Sequence, residues 1–429
     1  MAMEEQKPRK WSPLLVVLIA LVVILAGALG WALVLLTGPA APARVTYTIG
    51  MAIAVTGAAY QTDGPIRRDA AVLAVDQMNA QLEAAGSPVR FQWTNEDTTG
   101  TAQGATQALQ LLAAAGAKVV VGPLSTGEVS AIREFVTTNK IVAISPSSTG
   151  VAAAIPNDYV FRAPPTDIPQ AKALAQLVDG LGYDEVAVIA RNDDYGRGFA
   201  DLFESRIETV YGGTVLRIMY DTAATDLATE VAQLNTNVQT LGPGANTAVL
   251  MVGFEGDGLE ILDEARLQPN LRGVRWFGSE STRRTAFLNE SAVPQIVQFL
   301  LDVQFAGFFA TPPVNPVTTA FEQAYIAKYP ARDPKKSPYS YYSYDSAWLA
   351  MLAVLAAGKY DGEAIAKSLP GVAEKFIGAS GHKMLDANGD AIFADYTGWR
   401  VVRDATTNAP KYEPFALWRF ATEELEFFA

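Results

Sequence analysis

The chain has 429 residues, with 33 Lys and Arg, 45 Asp and Glu, one His and no Cys, and a formal net charge of −12. An acidic balance of this size repels nucleic acid and anionic lipid. Lack of Cys, with one His, excludes cysteine nucleophiles, thiolate metal sites and multi-histidine metal sites.

Residues 14–36 form an uncharged, almost wholly apolar run of 23 residues. A helix of that length spans a bilayer core. Lys7, Arg9 and Lys10 precede it and no comparable basic cluster follows, which places the N-terminus in the cytoplasm. A cleaved signal peptide ending at Ala41-Pro42-Ala43 competes, but signal cores run to ~7–15 apolar residues. The expectation is an uncleaved, single-pass anchor in the cell membrane, with the body on the periplasmic or extracellular face. Residues 1–13 are then a cytoplasmic tail, 14–36 the anchor and 37–43 a linker. The body from Arg44 carries −13, because three basic and two acidic residues lie before it. Its length suits two lobes.

From Val45 strand-like and helix-like segments alternate. Strands are predicted at Val45–Val55, Val89–Trp93, Lys118–Val121 and Ile141–Ser145, with helices at Pro65–Ala85, Thr101–Ala115 and Thr126–Thr138 between them. After an extended piece at Tyr159–Arg162 the rhythm restarts. Helices are predicted at Ile168–Leu181, Tyr195–Val210, Asp226–Thr240 and Gly258–Arg266, and strands at Val186–Ala190, Thr214–Tyr220, Thr247–Val252 and Val274–Phe277. Two runs of βα units imply two parallel sheets covered by helices. Beyond Gly278 the pattern loosens. A Pro-rich loop at Thr311–Pro316 precedes helices at Pro316–Tyr329 and Tyr341–Ala357, and Phe376–Trp418 reads as turns and strands.

Several segments, in order, carry a resemblance. They are Ala59-Tyr60 ahead of a helix with Val75-Asp76-Gln77-Met78-Asn79, Glu96-Asp97-Thr98, Val121-Gly122-Pro123-Leu124-Ser125-Thr126 and Ile144-Ser145-Pro146-Ser147-Ser148-Thr149. Phe161-Arg162-Ala163-Pro164-Pro165-Thr166-Asp167, Asp194-Tyr195-Gly196-Arg197-Gly198, Tyr344-Asp345-Ser346-Ala347 and Gly378–Asp390 follow. From Tyr47 to about Val402 the chain resembles the type I periplasmic binding proteins, in particular the branched-chain amino acid (Leu/Ile/Val) receptors of ABC importers. The resemblance implies an α/β fold of two Rossmann-like lobes with parallel sheets, joined by three hinge crossings, here preceded by the transmembrane helix. The crossings are expected near Ala163–Thr166, Gly278–Ser281 and Phe393–Gly398. Lobe 1 is then 44–164 plus 281–394, and lobe 2 is 165–280 plus 395–429.

Ligands of open α/β sheets sit beyond the carboxyl ends of the strands. Leu124, Ser125 and Thr126 follow one such strand; Ser147, Ser148 and Thr149 follow the next. Hydroxyls and free N–H groups at a helix start suit a carboxylate, although the same residues serve as ordinary N-caps. By resemblance, Thr126, Ser147 and Thr149 match positions that hold a ligand carboxylate. An ammonium group needs an acid, for which Asp167, Glu255 and Asp257 are candidates, with Asp257 favoured and Glu255 second. Tyr195 matches a tyrosine that closes over ligand, Tyr60 an aromatic of the facing lobe, and Glu280 is a weaker candidate from a hinge. Ser147 and Ser148 stand where amino acid receptors often have alanine, so the ligand class stays open between amino acids and related small carboxylates or amides.

Asp386-Ala387-Asn388-Gly389-Asp390 lacks the Gly and Glu of a calcium loop. His382, in a Gly-rich stretch, reads as a turn residue. No cofactor and no metal is expected, and no nucleophile–base pair marks an enzyme. The leading reading is a receptor that closes on a small solute and docks on an ABC permease in the same membrane. The alternative is a membrane-tethered sensor acting through a partner signalling protein.

Overall fold

The computed structural model describes residues 43–428. In chain order the elements are β1 (Val45–Ala52), α1 (Asp63–Ala84), β2 (Val89–Glu96), α2 (Ala102–Ala114), β3 (Val119–Val121), α3 (Thr126–Asn139), β4 (Val142–Ser145) and β5 (Val160–Pro165). The next are α4 (Asp167–Gly180), β6 (Glu185–Arg191), α5 (Asp194–Val210), β7 (Thr214–Tyr220), α6 (Ala228–Leu241), β8 (Thr247–Val252), α7 (Glu255–Ala265), α8 (Pro269–Arg272) and β9 (Arg275–Gly278). Then come α9 (Pro294–Asp302), β10 (Ala306–Ala310), α10 (Pro316–Lys328), α11 (Tyr339–Ala357) and α12 (Gly362–Ala373). Six strands close the chain: β11 (Ile377–Gly378), β12 (Gly381–His382), β13 (Asp390–Ala391), β14 (Tyr396–Arg403), β15 (Pro410–Arg419) and β16 (Glu424–Phe427).

From Thr46 on the chain is a single compact unit holding two large sheets. The first has the order β13-β5-β4-β3-β1-β2, the second β16-β15-β14-β10-β9-β8-β6-β7. Pairing is parallel from β7 through β6, β8 and β9 to β10, then antiparallel through β14, β15 and β16. The central strands Val119–Val121 and Thr247–Val252 are buried along their whole length, as sheets covered on both faces require.

The chain passes from the first sheet to the second between Pro165 and Asp167, and a third passage lies between Ala391 and Tyr396. The second passage corrects the expectation at Gly278–Ser281. β10 pairs with β9 and β14 inside the second sheet, so the chain returns to the first lobe only after Ala310. β10 reads Ala-Gly-Phe-Phe-Ala and α9 precedes it; neither was expected, nor was α12. A short buried run offers no alternation to read. Segment 281–310 therefore belongs to the second lobe.

Among the described residues no helix is long and apolar enough to cross a membrane. The span expected at residues 14–36 lies outside the described residues.

Helix starts are set by local chemistry. Ser125 caps α3 in a capping box: its hydroxyl accepts from Glu128 N at 3.3 Å, and the Glu128 carboxylate accepts from Ser125 N at 2.8 Å. Asp193 caps α5 by accepting from Gly196 N at 2.9 Å. Gly196 has no room for a side chain, since a Cβ would stand 2.1 Å from Arg191 O. That approach places Tyr195 at the mouth of β6.

Candidate functional site

A narrow cavity lies between the lobes, at the carboxyl ends of their strands. Tyr60, Arg67, Ser125, Thr126, Ser147 and Thr149 line it from the first lobe, with Tyr339 from the start of α11. Tyr195, Phe254, Glu280, Ser281 and Arg284 line it from the second. Its free space is about 20 Å³, room for about one water.

The first-lobe wall is made of hydroxyls. Thr126 Oγ1 and Ser148 Oγ are 3.1 Å apart, and Gly150 N donates to Thr126 Oγ1 at 3.0 Å. Ser147 Oγ donates to Leu124 O at 2.8 Å and accepts from Arg67 Nη1 at 3.1 Å. Ser125 is committed to its cap and to Glu128, a carboxyl raised above its usual range by burial. Leu124 is fully buried and contributes its carbonyl, not its side chain, to this wall.

Two buried guanidiniums, Arg67 and Arg284, share one carboxylate. Asp63 Oδ2 accepts from Arg67 Nη2 at 3.1 Å and also from Arg284 Nη1. Asp63 and Arg67 stand one turn apart on α1, and Arg284 comes from the second lobe, so this ion pair joins the lobes. Arg284 Nε also donates to Ser281 O at 2.6 Å. Phe254 forms the aromatic wall, stacked on Tyr195 at 5.6 Å and tilted against Tyr60 at 5.5 Å. Tyr195 Oη lies 2.9 Å from Ser281 Oγ.

The acid that faces the cavity is Glu280. It is 4 % exposed, and burial pushes its carboxyl up to about 7, against the opposing pull of Tyr339, Thr149, Gln170 and Arg284. Asp167 lies behind it. Burial first, and Glu280 second, hold its carboxyl well above the usual range, and both its oxygens are buried without a hydrogen-bond partner.

The favoured acid, Asp257, is corrected. Its Oδ2 accepts from Arg191 Nη1 at 2.5 Å and from Tyr220 Oη, and its Oδ1 accepts from Phe254 N at 2.9 Å. Arg191 in turn lies 3.9 Å over the Phe254 ring. Asp257 therefore fixes the aromatic wall from behind. Glu255, the second choice, is also turned away from the cavity. Its carboxylate accepts from Thr62 Oγ1 at 2.5 Å, reaching across to the first lobe. One residue on, a Cβ at Gly256 would stand 2.6 Å from Ala58 Cβ of that lobe.

Of the eleven candidates, Tyr60, Ser125, Thr126, Ser147, Thr149, Tyr195 and Glu280 line the cavity, while Leu124, Asp167, Glu255 and Asp257 do not. Sequence reasoning missed Arg67, Phe254, Ser281, Arg284 and Tyr339. The pair Arg283-Arg284, just past a proposed crossing, was the available signal. Among the described residues no cluster of His, Cys, Asp and Glu could hold a metal ion. His382 sits at the edge of the β11–β12 hairpin, its Nε2 2.6 Å from Glu374 O.

The family model for the receptor family ligand binding region matches residues 66–404. The chain is 29% identical over 188 residues to a Leu/Ile/Val-binding protein homolog of Brucella melitensis, covering 43% of this chain and 49% of that protein. It is 25% identical over 273 residues to the chemotactic signal transduction system substrate-binding protein BasB of Halobacterium salinarum, covering 62% and 58%. The chain spans about half to three fifths of the length of the curated relatives it matches. Among solved structures, the leucine binding protein LivK of Thermotoga maritima superposes with a TM-score of 0.71 at 20% identity, covering 88% of this chain and 99% of that one. The chain belongs to the receptor family ligand binding region family, and it shares its fold with the leucine binding protein LivK.

Proposed function

We propose that this protein is an extracytoplasmic solute receptor of an ABC importer, binding an amino acid or a closely related small carboxylate or amide between its lobes. One observation carries the reading: the interlobe cavity is lined by hydroxyls, two guanidiniums and the buried carboxyl of Glu280. A zwitterion matches that set of groups. Its carboxylate would meet Thr126, Ser147 and Arg67, and its ammonium would meet Glu280 beside Thr149, with Asp167 behind. The free space is too small for leucine, so the ligand enters by separation of the lobes and shifts the equilibrium back towards closure. The protein performs no chemistry on it.

Calorimetry of the purified chain against single amino acids, small amides and small carboxylates tests the reading. One class is expected to bind with one-to-one stoichiometry, and Glu280→Gln to weaken it. Failure of every class to bind would end the proposal. The membrane anchor at residues 14–36 and docking on a permease belong to the same proposal; co-purification of a permease from membranes tests the second.

The kinship with BasB, a chemotactic substrate-binding protein, favours a second reading, in which the same closure is read by a signalling partner. Uptake that survives deletion of the gene while a response to the ligand is lost would select it.

A further inference from the structure

A second cavity lies on the other side of the same two segments that wall the first. It encloses about 300 Å³. Its walls are Phe309 of β10, Thr318 and Glu322 of α10, Tyr341 of α11, Trp399 of β14 and Tyr412 of β15, with Arg283 at its end. It thus draws on both lobes beside the second and third passages. Neighbouring residues divide between the two cavities. Arg284 faces the cleft and Arg283 this cavity; Tyr339 faces the cleft and Tyr341, about half a helical turn further round, this cavity.

The lining is mainly apolar and aromatic, with one conspicuous donor. The Arg283 guanidinium lies 5.1 Å over the Tyr412 ring and makes no hydrogen bond or ion pair among the described residues. The other charges of the lining are matched: Lys335 pairs with Glu322 at 3.0 Å, and Tyr341 Oη donates to Glu322 at 2.7 Å. An unpaired, half-buried guanidinium beside an apolar chamber calls for an acceptor with an apolar body. A carboxylate placed against it gains a charge-assisted hydrogen bond.

We propose that this cavity is a second binding site, for a small carboxylate with an aromatic or alkyl body, seated with its carboxylate on Arg283. The site is distinct from the cleft and does not depend on what the cleft binds. The two sites are mechanically joined. Tyr412 Oη accepts from Arg284 N at 3.1 Å and donates to Arg284 O at 2.8 Å, so the Arg283–Arg284 segment is clamped to β15.

The test is titration of the full-length chain with benzoate, hexanoate and, as a neutral control, benzyl alcohol. Benzoate or hexanoate is expected to bind one-to-one, roughly tenfold or more tightly than benzyl alcohol. Arg283→Gln should remove that preference, whereas Thr149→Val, in the cleft, should leave it. Thr397→Phe, which fills the chamber without touching the charge, should weaken both acids and provides the answer should Arg283→Gln fold poorly. Benzoate affinity unchanged in both Arg283→Gln and Thr397→Phe, loss of binding in Thr149→Val, or no binding of either acid at about 10 mM, would each overturn the proposal. A dimeric chain that binds neither acid would mark the groove as an interface between copies instead.

Discussion

The two walls of the cleft are built on different principles. The first-lobe wall is local: Ser125, Thr126, Ser147 and Thr149 stand where a strand ends and the next turn or helix begins, and backbone geometry alone brings them to the cavity. The second-lobe wall is set by long-range pairing. Three acids crowd its loops, and only Glu280 reaches the cavity, because Asp257 is bound to Arg191 and Tyr220 and Glu255 to Thr62. A carboxylate's place near a strand end says little about its direction until its partners are known.

Four experiments would break or sharpen that contrast. The largest effect is expected from Asp63→Asn, which leaves Arg67 and Arg284 without their shared counter-charge. Breaking a buried pair in this way costs ~3–5 kcal/mol, and urea unfolding should show it. Glu280→Gln comes next. Loss of a buried partner for a ligand ammonium costs ~2–5 kcal/mol, seen as a fall of roughly thirtyfold or more in affinity for an amino acid.

The same residue predicts a pH dependence. The folded carboxyl is raised from 4.5 to about 7. Its favourable contribution is complete below pH 4.5 and is lost as pH rises through about 7. Glu280→Gln should therefore gain in melting temperature relative to the unaltered chain between pH 5 and pH 8. Affinity for an ammonium-bearing ligand should rise over the same interval in the unaltered chain and stay flat in the variant.

Asp257→Asn should give the reverse pattern of Glu280→Gln. Stability should fall by ~1–3 kcal/mol from weakened charged hydrogen bonds, while affinity changes only by way of Phe254. An affinity loss equal to that of Glu280→Gln would mean that the two acids act together on the ligand. The smallest effect belongs to Thr62→Val, which removes the bond to Glu255 across the lobes. It should cost ~1 kcal/mol of closure, visible as a several-fold loss of affinity with unfolding of the separated lobes unchanged.

The βα rhythm made most of the fold legible, because covered parallel strands such as Thr247–Val252 are continuous apolar runs between amphipathic helices. It failed at β10, five residues of Ala, Gly and Phe without alternation, and the second crossing was misplaced with it. In the site, the hydroxyl positions were legible because strand ends are. Arg67 and Arg284 were not. A buried arginine leaves no periodic signature, and each is buried only because Asp63, far from Arg284 in sequence, neutralises both.

Gly256 has a consequence beyond its own turn. With 2.6 Å between a Cβ there and Ala58 Cβ, any larger residue acts as a wedge. A bulky replacement such as Gly256→Leu would prop the jaws ajar while leaving every residue of the cavity in place. Such a chain would still meet its solute on one face, yet could no longer report having done so, to a transporter or to a signalling partner alike.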